Sequence, residues 1–390
     1  MPGLLAFDAY NLSSNTLFTS AVWVIYLAAH GYSPFAIGLL ETLFHIAKFV
    51  TEVPTGIFAD LLGRRKSLIV ACVLRSIDVL LFLVPTVPMM ILSFTLAGIS
   101  YAFLGGANQA LLWGLTGATD AEQQKARYSK LISRMYLVGA VGEVIGTASG
   151  GYLGHVLTIL PFIFSCMACL LSIIPLLFIP EQQVPRRQRP TPWKHFAVGL
   201  QAVAQQPVLL GLLIIGGLID SCWQTIYFYN QLYLHSLGFA LTAIGLIVAA
   251  SMFSNFLFTA CAPFVMRHVP QRWLVSCGVA VEIVGVGLIS IPQPIVSLLG
   301  YLVLLQASVA ILDPAISTYI NERSPEAQRA TVLSLQTGLF SAAMIVLFPL
   351  FGLGITHVAY STVYLWTMLG LAGGGIITVG LVWVLNRGRR

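Results

Sequence analysis

The sequence predicts an all-α polytopic membrane protein with twelve transmembrane helices in two pseudo-symmetric six-helix halves. Three observations predict this fold class: the composition, a series of long apolar stretches and an internal repeat. Hydrophobic residues make up 57% of the 390 residues, and charged residues make up 9%. Soluble domains carry about 25% charged residues. The composition therefore argues against a soluble enzyme and against a nucleic-acid-binding protein.

Twelve apolar stretches are long enough to cross a bilayer, which takes about 20 residues per helix. Short polar or proline-containing segments separate them. The predicted spans are 5–29, 35–60, 67–87, 89–117, 130–154, 159–179, 208–234, 240–266, 273–291, 294–320, 330–355 and 359–385.

The distribution of positive charge gives the expected orientation, because Lys and Arg accumulate on the cytoplasmic side of membrane proteins. With both termini in the cytoplasm, 17 of the 20 Lys and Arg residues fall in cytoplasmic segments. The other three, Lys48, Arg75 and Arg134, lie inside predicted helices. Residues 1–20 show no basic leader, so we expect the first helix to be retained in the cell membrane.

Two segments of the first half recur in the second half. Residues 26–39 resemble 233–246, and residues 120–131 resemble 324–335. A parallel repeat implies a pseudo-two-fold axis along the membrane normal, with a substrate site near the bilayer midplane. The predicted organisation is a six-helix bundle at 1–179, a cytoplasmic linker at 180–207 and a second six-helix bundle at 208–390.

The predicted linker begins with a segment that cannot pack into lipid, since residues 180–192 contain four prolines and three arginines. Apolar residues then recur at helical spacing. We interpret this part as an amphipathic helix on the inner membrane surface; the alternative is an extension of the seventh helix. The apolar positions are Trp193, Phe196, Leu200 and Val203.

A glycine- and arginine-containing motif, GIFADLLGRRK, occupies residues 56–66 between the second and third predicted helices. It resembles the signature loop of the major facilitator superfamily, and the preceding residues 52–55 resemble bacterial members labelled as efflux transporters. The resemblance covers the loop position, the helix count and the half-repeat, and hence the whole chain. The motif residues are Gly56, Asp60, Gly63, Arg64, Arg65 and Lys66.

Elementary chemistry suggests a role for each part of this motif. Gly56 permits close helix approach and Gly63 a tight turn. Asp60 lies near a helix C-terminus, where the helix dipole disfavours a carboxylate. We therefore expect Asp60 to contact the start of the eleventh helix, at 329–331, and to lock the cytoplasmic side in one state. The alternative is an anchor of positive charge without a gating role.

The second predicted helix carries a stripe of ionisable residues on one face. A charged side chain at the bilayer centre costs about 2.5–3.5 kcal/mol on insertion scales, so such residues are candidates for function. We interpret the stripe as a proton relay in which Glu41 titrates; the alternative is a structural network of ion pairs. The candidates for proton coupling are Glu41, His45, Lys48 and Glu52.

A polar face on the seventh helix is typical of a cavity lining. The family resemblance places helices one, four, seven and ten around a central cavity, and so adds residues from those helices. Aromatic and dispersed polar side chains suit an amphipathic ligand of moderate size. The candidates are Asn11, Asn15, Asn108, Gln109, Asp220, Trp223, Gln224, Tyr227, Gln231 and Asp313.

Other polar or small residues inside the helices have separate interpretations. Arg75 and Asp78 are spaced as a structural ion pair. Glu143 and Glu282 have no partner that the sequence reveals, and either could carry a proton. Glycines at positions 142, 146 and 150 predict a close contact between helices.

These observations predict a secondary transporter that works by alternating access and exports lipophilic or amphipathic small molecules in exchange for protons. Two alternatives stay open: proton-coupled uptake of a small metabolite, and a sensor or scaffold that kept the fold. We expect no enzymatic activity, no cofactor and no metal site. The expected partners are a small-molecule substrate, protons and the lipid bilayer, without nucleic acid, and the expected assembly is a monomer.

Overall fold

The computed structural model describes residues 2–117, 121–181, 207–323 and 329–387. In these ranges the regular secondary structure is helical. The first part of the chain forms α1 (Pro2–Asn15), α2 (Trp23–Ala29), α3 (Pro34–Leu62), α4 (Arg64–Leu81), α5 (Val87–Leu104), α6 (Ala107–Gly114), α7 (Ala121–Val156), α8 (Leu160–Leu171) and α9 (Ile173–Leu177).

The second part begins at Pro207, so the predicted amphipathic helix at residues 193–205 lies outside the described residues. Its helices are α10 (Pro207–Ser236), α11 (Leu241–His268), α12 (Gln271–Ile289), α13 (Pro294–Leu299), a π-helical turn (Gly300–Leu304), α14 (Leu305–Arg323), α15 (Arg329–His357) and α16 (Tyr360–Arg387).

Each predicted span coincides with one helix or with two or three consecutive helical elements. Nine helical segments of the described chain are long and apolar enough to cross a membrane by length and composition. The first, third and ninth spans do not meet that criterion as single helices. The first is divided into α1 and α2, the third begins with three cationic residues at 64–66, and the ninth has a short apolar part at Trp273–Ile289.

The structure interrupts helices where the sequence predicts continuous ones. The first span breaks between α1 and α2, where the backbone N–H groups of Phe18 and Thr19 donate to the Ser165 hydroxyl, at 2.8 and 3.2 Å. The fourth span breaks at Gly106, which adopts a left-handed conformation with φ of +72°. At the first break, the Ser165 hydroxyl replaces helical acceptors for two backbone N–H groups. At the second break, glycine adopts the left-handed conformation without strain.

The chain divides into two compact units. The first comprises Met1–Tyr32, Leu39–Arg187 and Gly238–Ala249, and the second comprises Ser33–Gly38, Gln188–Leu237 and Ala250–Arg390. In the first unit, α4 packs along α5 and α8, and α1 packs along α7. In the second unit, α10 packs against α14, α15 and α16, while α12 packs against α14 and α16.

The predicted glycine contact on α7 is confirmed. A Cβ atom added at Gly146 would lie 2.7 Å from the backbone nitrogen of Leu17, and Gly142 and Gly150 likewise face the backbone at Leu12 and Phe18. Every one of these neighbours is main chain, which cannot rotate away. The three glycines therefore allow α7 to approach the first helical span at backbone distance.

Candidate functional site

The predicted stripe on the second helix lies along α3 of the first unit. Glu41 and His45 are 7% and 3% exposed, and their Oε1 and Nε2 atoms are 3.7 Å apart. Lys48 is half-buried and interacts electrostatically with Glu41 and with Glu52. Glu52 is exposed at the far end of the stripe. The spacing of the four residues therefore predicts correctly that they share one helix face.

Helix α4 brings a second ion pair to this stripe. Arg75 Nη1 lies 3.8 Å from Asp78 Oδ2, and the guanidinium group stacks over the Tyr101 ring at 4.9 Å from its centroid. Arg75 also interacts electrostatically with Glu41. The i, i+3 spacing revealed the pair with Asp78, whereas the interaction with Glu41 joins two helices and has no signal in the sequence.

A third ion pair of the first unit joins α1 to α7. Arg134 Nη2 lies 2.5 Å from Asp8 Oδ2. Arg134 lies inside a helix predicted from the sequence, and its spacing reveals no partner. With this pair, Lys48, Arg75 and Arg134 each have a carboxylate close by in the same unit; Lys48 and Arg75 are half-buried, and Arg134 is exposed.

The cavity candidates of the first unit fall into two places. Asn15 and Asn108 line a small cavity of about 80 Å³ together with Tyr10 and Arg75, and the Tyr10 hydroxyl donates to Asn108 Oδ1 at 3.0 Å. Asn11 is 4% exposed and donates to the Met135 carbonyl, which joins α1 to α7. Gln109 is exposed and donates to the Tyr136 hydroxyl at 3.4 Å.

Three carboxyl groups from different helices meet in the second unit. Asp220 of α10 interacts electrostatically with Asp313 of α14, and Glu282 of α12 interacts electrostatically with both. Glu282 is 2% exposed, Asp220 is half-buried and Asp313 is exposed. This acidic group therefore runs from the core of the unit to its surface.

The remaining candidates on α10 differ in their surroundings. Trp223 and Tyr227 stack with ring centroids 5.7 Å apart. Gln224 is half-buried, whereas Gln231 is fully buried. The neighbouring Asn230 is 1% exposed and accepts a hydrogen bond from the Tyr364 hydroxyl at 3.3 Å. The half-buried part of the face thus lies nearest to Asp220.

An apolar pocket of about 370 Å³ lies between α10, α15 and α16. Gly370 and Gly374 help to form it, because a Cβ atom added at either glycine would meet nothing within 4 Å. Cys222, which lines the pocket, interacts electrostatically with Glu282. Its other lining residues include Ile219, Thr225, Phe351 and Trp366.

The loop motif fixes the end of α3 and the start of α4. Gly63 adopts a φ of +109°, and an added Cβ would collide with the Glu181 carboxyl group. Arg65 Nε lies 3.3 Å from Glu181 Oε2, and Arg65 Nη1 donates to the Ile179 carbonyl at 2.9 Å. Arg64 Nη1 donates to the Ala110 carbonyl at 2.6 Å. Both arginines thus bind within the first unit.

Gly56 requires a correction. We expected this glycine to permit close helix approach, but a Cβ atom added at Gly56 would meet nothing within 4 Å in the described part of the chain. The absence of a side chain is therefore not used for close packing in this structure. The expected contact of Asp60 with residues 329–331 stays a prediction.

The fold and the buried polar groups are those of a polytopic helical membrane transporter. The chain belongs to the Major Facilitator Superfamily, which its sequence matches over residues 9–239 and 212–390. The twelve-helix fold predicted from the sequence is the fold of this family.

Known proteins agree with this assignment. The chain is 22% identical over 344 residues to the uncharacterized MFS-type transporter YxaM of Bacillus subtilis (strain 168), covering 86% of this chain and 84% of YxaM. It is 26% identical to Multidrug resistance protein 2 of the same organism, over 39% of this chain and 36% of that protein. The crystal structure of nucleoside transporter NupG superposes with a TM-score of 0.77 at 16% identity, covering 97% of this chain and 98% of NupG.

Proposed function

We propose that this protein is a proton-coupled secondary transporter that exports lipophilic or amphipathic small molecules across the cell membrane. The observation that carries the proposal is the buried Glu41–His45 pair on α3, at 3.7 Å. Burying ionisable groups within a membrane is costly, and transporters retain such groups along proton pathways. The similarity to Multidrug resistance protein 2 supports export over part of the chain.

The arrangement around Glu41 suits a group that gains and loses a proton. Arg75 and Lys48 both attract its carboxylate, and Glu41 is 7% exposed. A proton at Glu41 therefore changes the strength of interactions that join α3 to α4. His45, Lys48 and Glu52 are the proposed partners in this relay, and Asp60 is the proposed gating residue.

The test is the accumulation of a fluorescent lipophilic cation in an efflux-deficient bacterial host. We expect the protein to lower accumulation and a protonophore to abolish the effect. Glu41→Gln should remove the protonophore-sensitive component, because the amide keeps the shape and cannot titrate. Glu122→Gln, at an exposed position in the first turn of α7, is the matched control and should export normally.

Unchanged export by well-expressed Glu41→Gln protein would exclude Glu41 as the coupling acid. The second candidate function is proton-coupled uptake of a small metabolite, which the structural similarity to a nucleoside transporter favours. Substrate entry into vesicles along an imposed proton gradient would establish uptake. A sensor or scaffold with the same fold would show no substrate-dependent proton movement in either assay.

A further inference from the structure

The apolar pocket between α10, α15 and α16 is a groove that follows α16. The residues of α16 that line it extend from Val363 to Gly375, twelve positions further along the helix. At a rise of about 1.5 Å per residue, these positions span about 18 Å along the helix axis. The hydrocarbon core of a bilayer is about 30 Å thick, so one leaflet contributes about 15 Å. The length of the groove therefore matches the depth of one leaflet.

The groove has a buried floor and an exposed rim. Ile219, Phe351 and Val363 of the floor are buried, whereas Leu350 and Trp366 on the rim are each 55% exposed. The helix around the rim is uncharged, since residues 361–386 contain no Asp, Glu, Lys, Arg or His. A helix of this composition spans a membrane in contact with lipid or with other apolar helices. The groove thus opens toward hydrocarbon.

The polar side chains of the groove offer little to a polar ligand. The hydroxyls of Thr225 and Thr367 donate to carbonyls of their own helices, at 2.7 and 2.9 Å. The Cys222 thiol is a weak donor. The indole of Trp366 lies on the rim, within two turns of the start of α16, and such indoles commonly lie at the level of lipid headgroups. This lining favours a hydrocarbon chain with a polar group at the Trp366 end.

Two glycines of α16 leave a notch in the groove. A Cβ atom added at Gly370 or Gly374 would meet nothing within 4 Å, whereas one added at Gly375 would collide with Val279 of α12. Glycines in transmembrane helices commonly allow close contact with another helix. Gly375 is used in this way, but no helix of the described chain fills the notch at Gly370 and Gly374. An unfilled apolar volume forfeits van der Waals contacts that an occupant would restore.

We propose that this groove binds one acyl chain of a bilayer lipid, whose headgroup lies beside Trp366. The chain fills the notch at Gly370 and Gly374 and contacts α10, α15 and α16 together. Because it replaces an empty volume with van der Waals contacts, its binding stabilises the second unit. This inference goes beyond the proposed function, since the site requires neither a transported substrate nor a proton.

The first test uses the full-length protein, purified in detergent and depleted of lipid. The probe is dimyristoylphosphatidylcholine, and the readout is the melting temperature. We expect saturating lipid to raise it by about 2–4 °C. Dioctanoylphosphatidylcholine has the same headgroup and shorter chains, and it should raise the melting temperature less because it fills only part of the groove. Equal shifts with the two lipids would overturn the proposal.

Variants that fill the notch provide the second test. Gly370→Leu and Gly374→Leu should each remove one bound lipid per protein, counted by native mass spectrometry, and should abolish the effect of the lipid on the melting temperature. Gly373→Leu is the matched control, because an added Cβ there also meets nothing within 4 Å and Gly373 does not line the groove. It should bind lipid like the wild type. Equal lipid counts in the wild type and both groove variants would overturn the site.

Cysteine alkylation locates the chain. Dimyristoylphosphatidylcholine should slow the labelling of Cys222 by a membrane-permeant maleimide several-fold, as measured by mass spectrometry of the peptides. Cys261 and Cys277 are exposed and serve as internal references. Equal labelling of Cys222 with and without the lipid would exclude the groove as the position of the chain.

A second copy of this chain is the competing occupant of the groove. Light scattering of lipid-depleted protein separates the two cases. A dimer that Gly374→Leu dissociates and Gly373→Leu preserves would assign the groove to contact between copies and would overturn the lipid site. A monomer that binds the lipid supports the site, whether or not the protein exports a substrate.

Discussion

At the scale of single residues, Gly63 shows how the loop motif acts on structure. Its φ of +109° is accessible to glycine and strained for other residues. The absent side chain also leaves space for the Glu181 carboxyl group, which pairs with Arg65. The sequence predicted the tight turn from the glycine. It could not predict Glu181, which lies more than a hundred positions further along the chain.

We therefore predict that Gly63→Ala destabilises the protein by about 2 kcal/mol or more, from backbone strain and from the collision with Glu181. Gly31→Ala is the control, because Gly31 has a φ of +87° and an added Cβ there meets nothing within 4 Å. Melting temperatures in detergent should fall more for Gly63→Ala. Equal decreases would show that the contact with Glu181 contributes nothing.

At the scale of helices, the contact of α7 with the first span was readable from the sequence because glycines recur every four residues on one face. The interruption of that span was not readable. It depends on the Ser165 hydroxyl of α8, which accepts from Phe18 and Thr19. Local sequence thus predicts which face a helix buries, whereas a break held by a distant side chain depends on the tertiary structure.

The glycine contact yields a prediction at this scale. Gly146→Ala should lower the free energy of unfolding by about 1–3 kcal/mol, because the added methyl group meets backbone that cannot move aside. Gly373→Ala in α16 is the control, since an added Cβ there meets nothing within 4 Å. We expect little change or a small gain for the control, because alanine favours helix more than glycine. A Gly146→Ala protein as stable as the control would contradict close packing at this position.

For the molecule as a whole, the internal repeat predicts two similar bundles, yet the two units differ in their charge. The acidic residues within the helices of both halves are visible in the sequence. The i, i+4 spacing of Glu41 and His45 predicts that they share one face of a helix. Pairing between helices could not be read in this way: the electrostatic contact of Arg75 with Glu41 and the meeting of Asp220 with Asp313 both depend on helix packing. The difference in charge pairing between the two units therefore depends on contacts between helices, which only the structure gives.

This asymmetry predicts opposite effects for two conservative substitutions. Asp78→Asn removes the carboxylate paired with Arg75 at 3.8 Å and should destabilise the protein by about 3 kcal/mol, since it weakens the compensation of a buried cation. Glu282→Gln removes a buried acid that has no basic partner among the described residues, so no cation is left behind. We expect it to preserve or raise the melting temperature.

Thermal unfolding in detergent compares the two cases directly. At one pH, Asp78→Asn should melt below the wild type, whereas Glu282→Gln should not. A Glu282→Gln protein less stable than Asp78→Asn would contradict the charge asymmetry between the two units.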